Sequence, residues 1–250
     1  MTDRVGRFVW RELITDDVEA AKRFYSELFG WQIKTVDMPS GPYDLVHAQG
    51  KDVAGMMKSP MPNVPPHWYS YVGVNDVDAA LERASQAGGK VVVPAMDIPN
   101  VGRFGIFMDN LGAVSAPFKS ATPNDKPIER PALGEFCWES LNTTDLAASS
   151  KFYTAVYGWK EAAFGGDMIT WGVGDGPENQ VASVTKAPPG VPAHWLTYVV
   201  VDKLAAARDR AKRLGGTVMV EQISVPGVGS FAVVQDPQKA VICPFEPEAR

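Results

Sequence analysis

Between residues 18 and 28 the apolar side chains Val18, Ala21, Phe24, Tyr25 and Leu28 fall at helical spacing on one face, which predicts an amphipathic helix. Ahead of it Val9–Ile14 reads as a strand. Asp16 is placed to cap the helix, with Glu19 three residues on able to reach back, and Gly30 stops it. The same signals return downstream, with a strand at Trp68–Val74, a helix at Val77–Ala87 and Gly88-Gly89 as terminator. The stretch after this second helix is β-rich, at Val91–Val93, Gly105–Met108 and Ala113–Phe118. The pattern predicts a βαβββ unit.

The unit recurs. Phe8–Gln32 and Phe136–Lys160 align without a gap and share 10 identities in 25 positions. Val64–Lys119 and Val191–Glu246 share VP-x-HW-x-x-YV-x-V near the start and D-x-x-x-AV-x-x-PF at the end. Within the first copy Asp17-Val18-Glu19-Ala20-Ala21 returns as Asp76-Val77-Asp78-Ala79-Ala80, and the second copy echoes both. The chain is a tandem duplication of a pair of units, each too small to bury a good core alone. Lys119–Gly134, with Pro123, Pro127 and Pro131, reads as the linker, giving one domain at 1–118, the linker at 119–134 and a second domain at 135–250. The shorter proline clusters Pro60–Pro66 and Pro188–Pro192 read as joints between paired units.

Composition narrows the possibilities. Hydrophobic residues make up 45% of the 250, enough for two compact domains. The net charge of −5 comes with scattered Lys and Arg, which argues against nucleic acid and an anionic membrane surface as partners. The N-terminus lacks the apolar run of a signal peptide, and no segment reaches the length of a membrane span. Two cysteines, Cys137 and Cys243, are too few for a disulfide framework and fit a reducing cytoplasm.

Four βαβββ units, the helix signature Asp17…Phe24-Tyr25…Phe29-Gly30-Trp31 and the closing Asp109-Asn110-x-Gly resemble the glyoxalase/bleomycin-resistance/dioxygenase group, also called the vicinal oxygen chelate superfamily. The resemblance covers nearly the whole chain outside the linker. It implies an α+β fold in which paired units form two glyoxalase-like domains with cup-shaped mixed sheets. It does not fix an activity, since the superfamily holds lyases, dioxygenases, epimerases, thiol transferases and non-catalytic drug-binding proteins.

The resemblance also implies a divalent metal, held by one ligand from each first strand and one from each last strand, usually His or Gln and then Glu. Counting from the shared landmarks puts Trp10, Tyr69, Trp138 and Leu196 at the first-strand positions, and Ala116 and Cys243 at two of the last-strand positions. The other two fall near Gly55–Met57 and Ala182–Val184. Apart from Cys243 these carry no imidazole, carboxylate or thiolate, so no metal cofactor is expected.

Other residues take that place. Glu12 lies two positions beyond Trp10 on the same strand face, and His67 shares a face with Tyr69 and Tyr71. Antiparallel first strands would bring Glu12 to His67, and a carboxylate orienting an imidazole makes a general base. The second copy has Ser140 and His194 at the matching places. Both histidines follow prolines and precede Trp, so anchoring of a strand start is the competing reading. Trp10, Tyr69, Tyr71, Trp138 and His194 are the candidate ligand-binding residues of an aromatic-lined cup. Trp68 and Trp195 could line a pocket or pack in the core, and Cys243 reads as a buried small hydrophobe. The expected function is a small-molecule binding protein, of the drug-sequestering kind or otherwise, or a metal-independent enzyme. A metal-dependent lyase or dioxygenase is the alternative.

Overall fold

The computed structural model describes residues 4–38, 41–60, 63–122, 128–165 and 168–248. Part of the linker, with Pro123 and Pro127, and part of the Pro60–Pro66 joint lie outside the described residues. The first repeat runs β1 (Phe8–Thr15), α1 (Val18–Phe29), β2 (Gln32–Met38), β3 (Gly41–Ala48), β4 (Lys51–Lys58), β5 (His67–Gly73), α2 (Val77–Gln86), β6 (Lys90–Ile98), β7 (Gly102–Met108) and β8 (Val114–Ser120). The second runs β9 (Phe136–Thr143), α3 (Leu146–Tyr157), β10 (Lys160–Gly165), β11 (Met168–Gly172), β12 (Gln180–Lys186), β13 (His194–Val200), α4 (Leu204–Arg213), β14 (Thr217–Val225), β15 (Gly229–Gln235) and β16 (Val241–Pro247). Each quarter is βαβββ, and the class is α+β.

The strands form two eight-stranded mixed sheets, ordered β2-β3-β4-β1-β5-β8-β7-β6 and β10-β11-β12-β9-β13-β16-β15-β14. The second order is the first shifted by one repeat. In each unit the first and last strands run parallel, with Glu12 opposite Gly55, Tyr71 opposite Ala116, Ser140 opposite Ser183 and Tyr198 opposite Cys243. The remaining contacts within each unit are antiparallel hairpins.

Packing divides the chain into two compact units that each draw on both repeats. One comprises residues 1–9, 69–128 and 139–195, the other 10–68, 129–138 and 196–250. In the first, α2 packs against α3 over Val72, Leu81, Phe107, Leu141, Phe152 and Tyr153. In the second, α1 packs against α4 over Leu13, Phe24, Tyr25, Val46, Met56 and Val234. Burying each such large side chain contributes about 1.5–3 kcal/mol of transfer free energy.

Capping explains the helix boundaries. The N-cap of α1 is Asp17 rather than Asp16: Asp17 takes the extended backbone of a cap, and its carboxylate accepts from Ala20 N at 3.0 Å. Asp76 and Asp145 do the same for α2 and α3. Gly30 closes α1 in the left-handed conformation at φ 74°, where a side chain would be strained.

The duplication reaches into the core as a hydrogen-bonded triad. In one compact unit Trp68 Nε1 donates to Tyr25 Oη at 2.9 Å, and Tyr25 Oη donates to Asp236 Oδ2 at 2.9 Å. Asp236 Oδ1 accepts from the amides of Gln238 and Ala240. In the other unit Trp195, Tyr153 and Asp109 repeat the chain of donors at 3.0 Å each, with the amides of Leu111 and Ala113 on Asp109 Oδ1. Trp68 and Trp195 are therefore core residues whose indole N–H is satisfied internally.

Candidate functional site

Strand alternation sorts β1 into two faces. Leu13 is part of the core beneath α1, while Trp10 and Glu12 meet Tyr43 of β3 on the opposite, helix-free face. Trp10 Nε1 donates to Tyr43 Oη at 3.0 Å, and Glu12 is only 5% exposed. Tyr43 reaches β1 because Gly55, which pairs with Glu12 across the strands, has no side chain; a Cβ there would overlap the Tyr43 hydroxyl. Burial and then the negative charge of Glu12 hold the Tyr43 phenol well above its ordinary value of 10.0, with the Trp10 hydrogen bond acting in the opposite sense. Tyr43 is thus a neutral hydroxyl at physiological pH. A glycine inside an alternating strand marks a close approach by another group, and Gly55 was the sequence signal that could have pointed to Tyr43.

His67 opens β5 with its Nδ1 2.8 Å from the carbonyl oxygen of Pro65, so Nδ1 carries the proton and donates. Burial pushes the imidazole below its ordinary 6.5, and the Pro65 hydrogen bond opposes that shift. His194 stands in the same relation to the Pro192 carbonyl, also at 2.8 Å. The shared geometry gives both histidines an anchoring role at a strand start.

In the other compact unit Tyr69 and Tyr71 are buried with their hydroxyls 2.8 Å apart, and the Tyr71 ring meets Phe104 and Phe118 edge-on. In the second repeat Trp138 packs half-buried against Leu196, Tyr198 and Cys243. Cys243 is fully buried among apolar groups, and Cys137 Sγ donates to the Tyr198 carbonyl at 3.6 Å; neither thiol is in a disulfide.

The positions at which a metal ligand would stand do not supply its donors. Trp10, Tyr69, Ala116, Trp138 and Leu196 offer indole, phenol, methyl and isobutyl groups, Gly55 has given its space to a tyrosine hydroxyl, and Cys243 alone carries a thiol, buried in an apolar cluster. Among the described residues no three His, Cys, Asp or Glu side chains converge. A divalent ion held by imidazole and carboxylate does not fit this set.

Comparison with known proteins gives the lineage. Residues 4–114 match the family model of the glyoxalase/bleomycin resistance protein/dioxygenase superfamily, and residues 138–245 match that of a glyoxalase-like domain. The chain is 34% identical to the candidate glyoxylase CFP32 of Mycobacterium tuberculosis over 98% of its own length and 96% of that protein. It is 31% identical to the anthracycline biosynthesis protein DnrV of Streptomyces peucetius, covering 94% and 91%. Among solved structures, the Mn(II)-bound glyoxalase of Novosphingobium aromaticivorans superposes with a TM-score of 0.65 at 18% identity, covering 97% of this chain and 82% of that one. The 2,3-dioxygenase LapB of Pseudomonas sp. KL28 gives 0.67 at 14% identity, covering 100% and 94%. Their likeness is one of fold. With its two matched regions in tandem, the chain belongs to the glyoxalase/bleomycin resistance protein/dioxygenase superfamily.

Proposed function

We propose that the protein binds a planar aromatic small molecule on the helix-free face of its first βαβββ quarter, through aromatic side chains and the Glu12 carboxylate, and that it does so without a divalent metal. The observation that carries this reading is the Trp10–Tyr43–Glu12 cluster, which stands where the fold's relatives would present metal donors. Indole and phenol rings suit stacking on a fused-ring ligand, and a few placed polar groups fix its orientation. The relatives named for anthracycline biosynthesis point toward the same ligand class. Tyr69 and Tyr71, and in the second repeat Trp138 and His194, are proposed as ligand-contacting residues, each within its own compact unit. Binding with no turnover would make the protein a sequestering factor.

Elemental analysis tests the metal-free part. Protein purified without chelators is expected to hold far less than one equivalent of manganese, iron, nickel or zinc. Close to one per chain would establish the metal-dependent alternative, for which the Mn(II)-bound structural neighbour is the precedent.

A second reading, metal-free proton transfer by Glu12 and His67, is favoured by one specific feature. With Nδ1–H donated to Pro65, His67 is held as the Nδ1-protonated neutral tautomer, and burial favours that neutral, basic form. A turnover assay should then show an inflection below the ordinary histidine range that disappears in His67→Ala. A flat profile in the wild type removes this reading.

A further inference from the structure

We propose that a hollow between β16, the β14–β15 turn and the chain leading into β9 binds a small zwitterion with an apolar body, of the hydrophobic amino-acid class. Arg130 donates to its carboxylate, and its ammonium donates to Glu248. The walls include none of Trp10, Tyr43 or Glu12, so the inference stands apart from the aromatic-ligand reading.

The hollow has a volume of about 450 Å³, within the range of roughly 300–1,000 Å³ usual for small-molecule sites. Its apolar walls are Pro131 ahead of β9, Cys137 in β9, Val200 at the end of β13, Phe245 of β16 and Val228 in the β14–β15 turn. Val200 is buried and Phe245 half-buried, whereas Arg130 and Glu248 are exposed, so an apolar floor lies beneath a charged mouth. All of these residues belong to one compact unit. Backbone bonds hold the wall in place: Val228 N donates to Val225 O at 3.0 Å, and Glu248 N to Val228 O at 3.0 Å.

The charges select the ligand. Among the described residues neither Arg130 nor Glu248 makes a side-chain hydrogen bond or ion pair, although both border the same hollow. The carboxylates nearest in sequence have other partners: Glu129 and Glu135 pair with Lys51 at 2.6 and 3.3 Å, and Glu246 pairs with Lys203 at 3.2 Å. A guanidinium is cationic throughout the physiological range, and an exposed carboxylate is anionic at neutral pH. A simple anion would match Arg130 and be repelled by Glu248, and a simple cation the reverse. One molecule carrying both groups matches both. The duplication supplies an internal comparison. The first repeat has Gly73 in the place of Val200 and Ala121 in the place of Glu248, and the Arg4 carbonyl lies where a Gly73 side chain would stand. Ala121 N still donates to Val101 O at 2.9 Å, so the second repeat keeps the backbone and adds the apolar floor and the charge.

The test titrates the full chain by calorimetry near neutral pH with three probes that share a phenylalkyl body: L-phenylalanine, 3-phenylpropanoate and 2-phenylethylamine. The wild type is expected to bind phenylalanine about fivefold more tightly than either single-charge probe, the scale of an exposed charge pair. Arg130→Gln should lower phenylalanine to the level of 2-phenylethylamine and leave that amine within about twofold of its wild-type affinity. Glu248→Gln should lower phenylalanine to the level of 3-phenylpropanoate. Val228→Ser should weaken all three probes alike, because it removes wall and not charge. Unfolding midpoints should stay at the wild-type value in the two charge variants, since neither side chain holds a partner among the described residues. Equal binding of the three probes by the wild type overturns the charge pairing, and so does a preference for phenylalanine that outlasts both charge substitutions. No binding at millimolar concentration removes the site altogether. None of these results bears on Trp10, Tyr43 or Glu12, so the aromatic-ligand reading stands or falls separately.

Discussion

An imidazole whose Nδ1–H is held by a carbonyl has one position left for a second proton, and burial disfavours filling it. This is the state of His67 beside Pro65, with its protonation pushed below 6.5. A base whose folded value is depressed lends stability that is present above its unfolded value and lost as pH falls through the folded one, because the unfolded chain takes up the proton first. Unfolding midpoints in urea should therefore fall as pH drops through and below 6.5, and His67→Asn should make that fall shallower. Asn offers an amide N–H in place of Nδ1–H and does not titrate, so it separates the proton from the anchor. An unchanged slope would show that other groups set the acid limb. At this scale the sequence was informative about faces and poor about partners. Alternation placed Glu12 with Trp10, and both meet Tyr43. Tyr43 itself escaped notice because it comes from β3, two strands away in the sheet order, and only the hairpin register of β3 and β4 carries its hydroxyl over Gly55. Such cross-strand arrivals depend on register, which single-residue spacing does not encode.

At the scale of elements, α4 departs from the other helices. Asp17, Asp76 and Asp145 cap α1, α2 and α3, but the corresponding residue before α4 is Lys203, which makes no side-chain capping bond. The orphan amide of Leu204 is served by Glu246 of β16, whose Oε2 accepts from it at 2.7 Å, while Oε1 pairs with Lys203 Nζ at 3.2 Å. The matching residue of the first repeat is Lys119, so the second repeat has moved the cap's carboxylate from the helix to the last strand. The Leu204 amide, and after it Lys203, hold Glu246 below the ordinary carboxylate value of 4.5. Glu246→Ala should destabilise the protein by about 0.5–1 kcal/mol, the lower part of the capping range because the carboxylate is partly exposed. Lys203→Asp in that background should restore the loss, and Lys203→Asp in the wild type should restore nothing. Thermal unfolding of the four chains decides it, and an uncompensated double variant would mean that Glu246 acts otherwise. Helices were the most legible elements: α1 and α2 were anticipated from periodicity and stop signals to within a residue or two. The strands β6 and β7 extend well beyond the expected segments, to Lys90–Ile98 and Gly102–Met108. Bulges between Val91 and Val93 and between Val93 and Met96 break the alternation on which a strand reading depends.

For the whole molecule, gene-level duplication is readable in the sequence, but the way its products pack is not. The four quarters are plain from repeated motifs, whereas each compact unit combines quarters from both repeats. The triads show how the chemistry follows packing. Tyr25 belongs to the first quarter and Asp236 to the fourth, while Tyr153 belongs to the third and Asp109 to the second. The same two motif residues thus join quarters from different repeats, the first to the fourth and the third to the second, and nothing in local spacing announces which Tyr takes which Asp. Asp236 is 2% exposed and Asp109 4%, and each spends one oxygen on a tyrosine hydroxyl and the other on two backbone amides. Replacement by Asn leaves one acceptor oxygen for two tasks and turns an N–H₂ toward groups that need an acceptor. Either the tyrosine proton or the backbone amides are stranded, at a cost of about 1–3 kcal/mol. Asp236→Asn and Asp109→Asn should therefore each lower stability by a similar amount, because the two triads are chemically equivalent. The triads have no hydrogen-bonding member in common, so the double variant should show the sum of the single losses to within about 0.5 kcal/mol. Urea unfolding of the two single variants and the double variant measures this directly. A double loss well short of the sum would reveal coupling between the triads that their hydrogen bonds do not contain. A negligible loss in either single variant would show that an amide satisfies the buried tyrosine as well as a carboxylate does.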